Sequence, residues 1–487
     1  MTILGTAYLA VLALLLPFGA HRLRLLWLRF RRPSRRETRV WEGDLPVVTV
    51  QLPVFNEANV IERLIDSACK LDYPSDLLEI QVLDDSEDVT TDLAAARVAS
   101  WRARDVDIHH VRRPDRRGFK AGALEFGAKE ARGEFFLVLD ADFVPPGGLV
   151  RDLLGPFADS TVGAVQAAWA HLDADTGWLR RAQALFLDAH FAIEHEARYR
   201  GGYFFNFNGS GGMWRRVCVH DAGGWQSDTL TEDVDLSYRA QLAGWRFAYL
   251  DDVRVPAELP AGLRAIEIQQ ERWTQGGVQS ARKLLPSVWR SRATMGQKLE
   301  ATAHLIGHFV HPLTLLLGVT LATAGWLGLG RAGLPEWLHV VAIALATVPF
   351  IAFYGTAAIL RGAASRTLPG RVGGALLLGL GLGVPLSGAV VRGAIGVRTP
   401  FVRTPKQGFT QQVPYAGGRW ATSDWVRAAL ALTLVGAGWK LLTAGVVASL
   451  PFTGLFALGY VTTSLEALRG GGIGPLFPRR FPPIPSQ

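Results

Sequence analysis

Long apolar runs at the start of the chain and throughout its last third restrict the possible folds more than any other feature. The runs cover residues 3–20, 304–329, 337–360, 372–391, 426–447 and 450–465. A helix needs about 20 apolar residues to cross a bilayer, and most of these runs reach or approach that length. The sequence therefore predicts a helical membrane bundle attached to a polar central region.

Charge is distributed around these runs as membrane topology requires. Seven arginines follow the first run: Arg22, Arg24, Arg29, Arg31, Arg32, Arg35 and Arg36. Basic residues collect on the cytoplasmic side of a membrane, so residues 1–22 are predicted to form a signal anchor with the following chain in the cytosol. The net charge of +8 is explained in this way, and since no recognition motif accompanies it we expect no nucleic-acid partner.

Composition agrees with a membrane protein. Hydrophobic residues make up 49% of the 487 residues and charged residues only 19%, below the roughly 25% of soluble domains. The two cysteines, Cys69 and Cys218, form neither a zinc motif nor a disulfide framework. Richness in Ala, Gly and Arg suggests a plasma (inner) membrane of bacterial type.

The later runs leave the number of crossings open. The loop 361–366 and the tail 471–487 are basic and predicted to be cytosolic, as is the loop 398–419. If all five later runs crossed, that loop and the tail would lie outside. Segment 372–391, which is rich in glycine, is therefore predicted to lie in the interface or to re-enter, which gives five crossings in total.

The central region alternates between two kinds of segment. Strands are predicted at 47–55, 79–85, 106–111, 134–142 and 162–169, and helices at 57–70, 90–104, 120–131 and 177–198. Such alternation predicts an α/β fold with a mostly parallel sheet flanked by helices on both faces. No G-x-G-x-x-G follows the first strand, which argues against a nicotinamide or flavin domain.

Carboxylates follow two of the predicted strands. The buried strand ending at Leu139 is followed by Asp140 and Asp142, and the second strand ends in Asp84 and Asp85. Ligands collect at the carboxyl ends of strands in open α/β sheets, so these acids should face one crevice. Mg²⁺ bound by one or two carboxylates completes its shell with water and substrate phosphates. Asp140 and Asp142 are predicted to hold a metal–diphosphate, whereas residues 173–175 repeat the spacing in a loop or helix cap.

Two further segments carry candidate chemistry. Thr231, Glu232 and Asp233 open an amphipathic helix, where acids can simply cap the first turn, but a carboxylate can also act as a general base. Gln269, Arg272 and Trp273 would share one helical face. Arginine can neutralise a leaving diphosphate and tryptophan can stack on a sugar, although an interfacial helix with a tryptophan anchor would have the same pattern.

The motifs occur in the order Asp84-Asp85, Asp140-x-Asp142, Thr231-Glu-Asp233 and Gln269-Gln-x-Arg272-Trp273. This order resembles the D, D, D, Q(Q/R)xRW signature of membrane-embedded processive family-2 glycosyltransferases, whose catalytic domain has the GT-A fold. The resemblance covers roughly residues 45–290 and is densest with the cellulose synthase-like group that makes β-1,4-mannan and glucomannan. The similar segments are Pro53-Val-Phe-Asn-Glu57, Gln81-Val-Leu-Asp-Asp-Ser86, Lys120-Ala-Gly-Ala-Leu124, Phe207-Asn-Gly-Ser-Gly-Gly-Met-Trp-Arg215 and Ala222-Gly-Gly-Trp225.

The resemblance implies a role for each matching position. The nucleoside pocket would include Phe55, Asn56, Glu57 and Asp84, and Asp85 would also bind substrate. Lys120 would meet the diphosphate, and Asp140 and Asp142 would bind Mg²⁺ or Mn²⁺ with it. The catalytic group would be Asp233 as base, Glu232 beside it and Arg272. The acceptor and pyrophosphate would also contact Gln269, Gln270 and Trp273. A gating loop similar to FxVTxK would contain Phe401, Thr404 and Lys406, with Arg403 in place of the valine; a plain basic loop is the alternative.

These assignments predict seven regions: an anchor 1–22, a cytosolic GT-A domain 40–260, interfacial helices 261–303, membrane and interface helices 304–398, a gating-like loop 399–421, a membrane helix pair 422–470 and the tail 471–487. The expected reaction is inverting transfer of a hexose from GDP-mannose or UDP-glucose to a growing β-1,4-glycan. A glycolipid synthase acting on diacylglycerol or a ceramide-like acceptor is the alternative. A transport or scaffold protein with an inactive nucleotide domain is a third, disfavoured because no repeat is visible.

Overall fold

The computed structural model describes residues 3–33, 40–327, 336–397 and 421–470, together with residues 399, 402–404, 406 and 408. A seven-stranded sheet forms the centre of the polar region, and its strands are β1 (Val48–Val54), β2 (Leu78–Asp84), β3 (Ile108–Val111), β4 (Phe135–Val138), β5 (Val162–His171), β6 (Gly212–Arg215) and β7 (Arg246–Ala257). The strand order is β3-β2-β1-β4-β6-β5-β7. Neighbouring strands are parallel, except that β6 runs antiparallel to both β4 and β5. The predicted α/β class with a mostly parallel sheet is confirmed.

Helices cover the sheet, and a π-helical segment, His190–His195, joins helix Trp178–Ala189 to helix Glu196–Gly201. These helices are α2 (Ile61–Ala68), α3 (Thr90–Arg102), α4 (Phe119–Glu130), α5 (Leu149–Leu154), α6 (Trp178–Ala189), α7 (Glu196–Gly201), α8 (Arg216–Asp221) and α9 (Glu232–Leu242), with α1 (Ile3–Arg31) preceding the sheet. Strands β2 and β4 are buried along their whole length. This burial explains the continuous apolar sequence of β4, because a strand covered on both faces need not alternate. In β2 the polar side chains of Glu79 and Gln81 are buried as well, and they accept hydrogen bonds from Thr49 Oγ1 (2.6 Å) and Gln51 Nε2 (3.2 Å) of β1.

Several predicted boundaries differ from the observed ones. Strand β4 ends at Val138, before the predicted residue 142, because the Asp140 amide donates to Ser210 Oγ (2.8 Å) and the chain then turns through Phe143 N–H to Asp140 O (3.1 Å). Helix α2 begins at Ile61, later than the predicted residue 57, because the chain first makes a turn in which Val60 N–H and Ile61 N–H both donate to Glu57 O (3.0 Å). Strands β6 and β7 were not predicted from the sequence.

The remaining helices form a bundle. They are α10 (Leu263–Arg290), α11 (Met295–Leu305), α12 (Val310–Trp326), α13 (Glu336–Leu360), α14 (Leu368–Ile395), α15 (Thr422–Thr443) and α16 (Leu450–Gly470). Among the described residues, five segments are long and apolar enough to cross a membrane: Leu4–Arg31, Gly307–Trp326, Ile343–Leu360, Ser365–Ile395 and Thr422–Thr443. Helix count and composition are those of a multi-pass membrane protein.

The third of the later apolar runs, 372–391, lies within α14. Two thirds of its apolar window (67%) is buried, more than in any other of the five segments, whereas α16 falls outside that set. The interfacial or re-entrant location of segment 372–391 stays a prediction. The tail 471–487 and most of the loop 399–421 lie outside the described residues.

The sheet domain and the bundle share a hydrophobic core. Leu28 of α1, Leu185 of α6, Phe353 of α13 and Leu382 of α14 belong to one buried cluster. A buried ionic cluster lies beside it, in which Glu300 of α11 binds Arg198 (3.1 Å) and residues of α1. The site at the edge of the sheet is therefore fixed relative to the bundle.

Candidate active site

Most of the predicted site residues line one cleft at the carboxyl ends of the parallel strands. They are Phe55, Glu57, Asp85, Lys120, Asp140, Asp142, Glu232, Asp233, Gln269, Arg272, Trp273, Thr404 and Lys406. The cleft is where an open α/β sheet places ligands. Residues separated by more than 300 positions in the sequence thus meet at one site.

Two residues predicted for the nucleoside pocket do not line the cleft but hold its wall. Asn56 donates its amide to Ser86 Oγ and accepts from Glu87 N–H, both at 2.9 Å, which ties the ends of β1 and β2 together. Asp84 is buried and accepts from Ser86 N–H (2.8 Å), and its other oxygen lies 2.9 Å from His110 Nε2. Burial opposes ionisation of Asp84, but these hydrogen bonds outweigh it and lower its pKa.

The two aspartates after β4 each have a lysine partner. Lys120 Nζ lies 2.5 Å from Asp140 Oδ1, and Lys406 Nζ lies 2.5 Å from Asp142 Oδ2. Two carboxylates are a donor set that suits Mg²⁺ or Mn²⁺ when substrate phosphates and water supply the other ligands. Within the described part of the chain, no group of three or more His, Cys, Asp or Glu side chains could hold a metal ion, so the substrate would have to complete the shell.

Lys120 opens helix α4 and connects the two acidic groups of the cleft. Its Nζ donates to Gly209 O (2.9 Å) and lies 3.9 Å from Glu232 Oε1. Burial alone would lower the pKa of Lys120, but Asp140 and Glu232 raise it, so the lysine is a cation. Gly209 is required here, because its φ is +77° and an added Cβ would lie 3.1 Å from Asp233 Oδ2.

Asp233 is the strongest general-base candidate. Burial first, and then the neighbouring Glu232, raise its pKa to about 7 against the opposing effect of Lys120. The third acid of this helical turn has another task, since Asp235 is fully buried and pairs with Arg239 (2.7 Å) and Lys283 (2.8 Å). The Thr231 side chain makes no capping hydrogen bond to this helix and lies 3.1 Å from Ser280 Oγ instead, so side-chain capping by Thr231 does not account for the acids of the turn.

Helix α10 presents part of its predicted motif to the cleft. Gln269 accepts from Gln183 Nε2 of α6 at 3.0 Å. Trp273, like Trp169, packs against a small buried cluster formed by Ala184, Leu187 and Leu259. Burial lowers the pKa of Arg272, while Glu232 and Asp140 oppose that effect, which places its guanidinium in the field of the acidic groups. Gln270 does not line the cleft.

Three described residues of the predicted gating loop line the cleft: Arg403, Thr404 and Lys406. Arg403 Nη1 donates to Glu57 Oε2 (2.8 Å), and Gly408 N–H donates to Glu258 Oε2 (3.2 Å). Burial raises the pKa of Glu57 to about 8 even though Arg403 lies beside it. Thr404 is buried in the same segment, whereas Phe401 falls outside the described residues.

Other residues of the cleft were not predicted. Arg116, Trp169 and Asn208 line it, and Asn208 Nδ2 lies 2.8 Å from His190 Nε2 on the π-helical segment. Asn208 belongs to the glycine-rich 207–215 segment, so that motif was an available signal. Nothing in the local sequence distinguishes Arg116 from the other arginines of 112–117. Asp173, as predicted, stays out of the cleft and binds Arg180 (2.9 Å).

The central domain is similar to a known protein family. Residues 46–276 match the family model described as Glycosyltransferase like family 2. The mannosyltransferase PcManGT from Pyrobaculum calidifontis, solved in complex with GDP-Man and Mn²⁺, aligns with a TM-score of 0.57, 22% identity and coverage of 81% of this chain and 100% of its own. The shared fold confirms the predicted GT-A type.

Curated relatives are similar over the same region. Glucomannan 4-beta-mannosyltransferase 1 of Oryza sativa subsp. japonica is 38% identical over 295 residues, covering 57% of this chain and 56% of its own. Glucomannan 4-beta-mannosyltransferase 2 of Arabidopsis thaliana is 39% identical over 265 residues, covering 53% and 50% respectively. The chain thus spans about half the length of the curated relatives it matches.

Proposed function

We propose that this protein is an inverting hexosyltransferase of the membrane that extends a β-1,4-glycan from a nucleotide sugar. The observation that carries the proposal is the grouping of Asp233, the Asp140–Asp142 pair and Arg272 in one cleft. The names of the relatives favour a mannosyl donor, and GDP-mannose is the donor we propose. Processive extension and secretion through the membrane helices belong to the same proposal.

The chain's own residues account for the transfer chemistry. The Asp233 carboxylate takes the proton of an acceptor hydroxyl, whose oxygen forms the new bond to the anomeric carbon while the bond to the donor phosphate breaks. A base with a pKa of about 7 is suited to this role near neutral pH. Arg272 and Lys120 stabilise the negative charge that develops on the leaving diphosphate. Trp273 provides an aromatic face for a sugar ring.

A divalent cation is part of the proposed donor site. Asp140 and Asp142 would hold Mg²⁺ or Mn²⁺, which when bound neutralises charge on the donor diphosphate. Because Lys120 and Lys406 already pair with these carboxylates, this position attracts cations. The cytosolic orientation that we propose for the domain rests on the arginines at the C-terminal end of α1, which are Arg22, Arg24, Arg29 and Arg31.

A donor-panel assay tests the function. Full-length protein in lipid nanodiscs is incubated with radiolabelled GDP-mannose or UDP-glucose and a manno-oligosaccharide acceptor, with Mn²⁺ or with EDTA. Labelled polymer that requires GDP-mannose and Mn²⁺ is the expected result. Label in an organic-extractable monoglycosyl lipid would instead support the glycolipid alternative, and no transfer from either donor would refute the proposal.

A further inference from the structure

Arg116 lines the cleft but takes no part in the proposed transfer chemistry. Its guanidinium carbon lies over the ring of Phe55, 3.3 Å from the ring centroid, and 5.0 Å from the centroid of Phe119. Its Nε is buried and has no hydrogen-bond partner among the described residues. A buried donor without a partner is costly, which indicates that a ligand group satisfies it.

The neighbouring arginines have their interactions satisfied elsewhere. Arg113 donates to both oxygens of Asp85, at 2.7 and 2.5 Å, and to Phe119 O at 2.8 Å. Arg117 has a side chain that is 92% exposed and lies 3.7 Å from Asp115. Asp85 is thus already neutralised by Arg113, so Arg116 is not needed as its counter-ion. Of these three arginines, Arg116 is the one that lines the cleft.

The position of Arg116 in the sheet identifies the part of the donor that it would meet. Phe55 follows β1, Asp85 follows β2 and Arg116 follows β3, which are three adjacent parallel strands on one half of the sheet. Lys120 and the aspartates after β4, where the diphosphate is proposed to bind, lie next to that half. The reacting sugar must face Asp233 on the other side, so the nucleoside extends along the ends of β1, β2 and β3.

The chemistry of the guanidinium favours one type of base. A planar guanidinium donates two parallel hydrogen bonds, and the O6 and N7 atoms of guanine accept such a pair on one edge. Uracil has no second acceptor equivalent to N7, and adenine carries a donor in place of O6. Stacking on Phe55 orients the guanidinium plane before the ligand arrives.

We propose that Arg116, oriented by Phe55, reads the guanine base of the donor through paired hydrogen bonds to O6 and N7 and thereby selects guanine over uracil nucleotides. The inference rests on the proposed function, because it assumes that a nucleoside diphosphate occupies the cleft. It adds the residue that discriminates between the two donors left open by the sequence.

A nucleotide-binding experiment tests the inference without requiring transfer. Full-length protein in nanodiscs with Mn²⁺ is titrated with GDP, 7-deaza-GDP, which lacks N7, and UDP. The wild type is expected to bind 7-deaza-GDP and UDP about tenfold more weakly than GDP, the discrimination typical of one bidentate contact. Arg116→Gln should weaken GDP binding about tenfold, leave UDP binding unchanged and remove the penalty of the deaza analogue. Arg117→Gln is the matched control and should change none of these affinities.

Each contrary outcome has a distinct meaning. Equal binding of GDP and 7-deaza-GDP by the wild type would overturn the inference without any variant. Equal weakening of GDP and UDP in Arg116→Gln would show a phosphate or ribose contact and would overturn it too. Retained UDP binding in Arg116→Gln verifies that the variant is folded. Failure of the wild type to bind any nucleoside diphosphate would instead refute the proposed function.

Discussion

Acidic side chains in the cleft have basic partners from distant parts of the chain. Lys406 reaches Asp142 across 264 positions and Arg403 reaches Glu57 across 346. Buried carboxylates are stable only when they are paired or protonated, so these contacts hold the cleft together in the absence of substrate. The donor diphosphate and its cation would take over part of this neutralisation.

Asp233 is the residue whose removal should affect chemistry most directly. We expect Asp233→Asn to lower the transfer rate about 10²–10⁴-fold, the range typical of a lost general base, while the affinity for GDP stays within about twofold. The measurement is the initial rate of labelled polymer formation, compared with GDP titration of the same preparation. Wild-type transfer rates in this variant would exclude Asp233 as the base.

The pH dependence of transfer should report the same group. Burial and Glu232 raise the pKa of Asp233 to about 7, and only the ionised carboxylate can accept a proton. The rate should therefore fall as the pH drops below about 7 and reach a plateau above it. Glu232→Gln removes one cause of the raised pKa and should move the midpoint to lower pH. A rate that is constant between about pH 5 and pH 9 would contradict this assignment.

At the scale of elements, the contact between α9 and α10 sets the position of Asp233, the proposed base. Gly276 of α10 faces Thr231, the residue before α9, and an added Cβ would lie 2.9 Å from Thr231 N and 2.6 Å from its Cγ2. The absence of a side chain at Gly276 lets the two helices approach this closely. Glu232 and Asp233 follow directly, so the gap between the helices controls where both acids point.

We expect Gly276→Ala to displace the start of α9 and to lower the transfer rate at least about tenfold, since a small displacement of a catalytic group strongly reduces the rate. Overpacking should also cost about 1–3 kcal/mol of unfolding free energy. Transfer rate and thermal unfolding of the same sample measure the two effects.

Gly262→Ala, just before the same helix, is the matched control for this substitution. An added Cβ there meets nothing within 4 Å, and its φ of 178° suits any residue. Equal behaviour of the two variants would show that the contact at Thr231 does not position the base.

At the scale of the whole molecule, a buried ionic group joins α15 to α10, the helix that carries the residues proposed to bind the acceptor. Arg427 of α15 is fully buried and binds Glu267 of α10 at 2.7 Å, and it also binds Asp424. Glu267 lies two positions before Gln269. The bundle is therefore mechanically linked to the cleft.

Replacing Arg427 by Met should be strongly destabilising. Removing one member of a buried pair leaves an uncompensated charge and typically costs about 3–5 kcal/mol. Unfolding of the protein in nanodiscs measures the loss. Arg469→Met is the control, because Arg469 is largely exposed (73%) beside Glu466, and this change should cost less than about 1 kcal/mol. Similar losses in both variants would contradict the proposed link.

Local sequence was sufficient to predict the fold class and the presence of the site. Apolar runs of membrane length and the change to alternating strands and helices follow from composition and periodicity, which each segment carries by itself. Asp140 and Asp142 could be assigned to the cleft because the carboxyl ends of buried parallel strands meet at one edge of the sheet. Asp233 could be assigned to it because it lies in the first turn of a helix that begins with acids. The antiparallel β6 could not be predicted, because its four residues lack a pattern and depend on pairing with β4 and β5.

The sequence by itself determined the membrane helices, the α/β domain between them and the set of acidic motifs. Only the tertiary structure decided that Asp85 rather than Asp84 faces the cleft, that Arg116 stacks on Phe55 and that Arg403 and Lys406 reach Glu57 and Asp142. The physical reason is the distance along the chain over which each property is determined. Segment type depends on neighbouring residues, whereas the partner of a charged side chain depends on which distant segments the folded chain brings within a few ångströms.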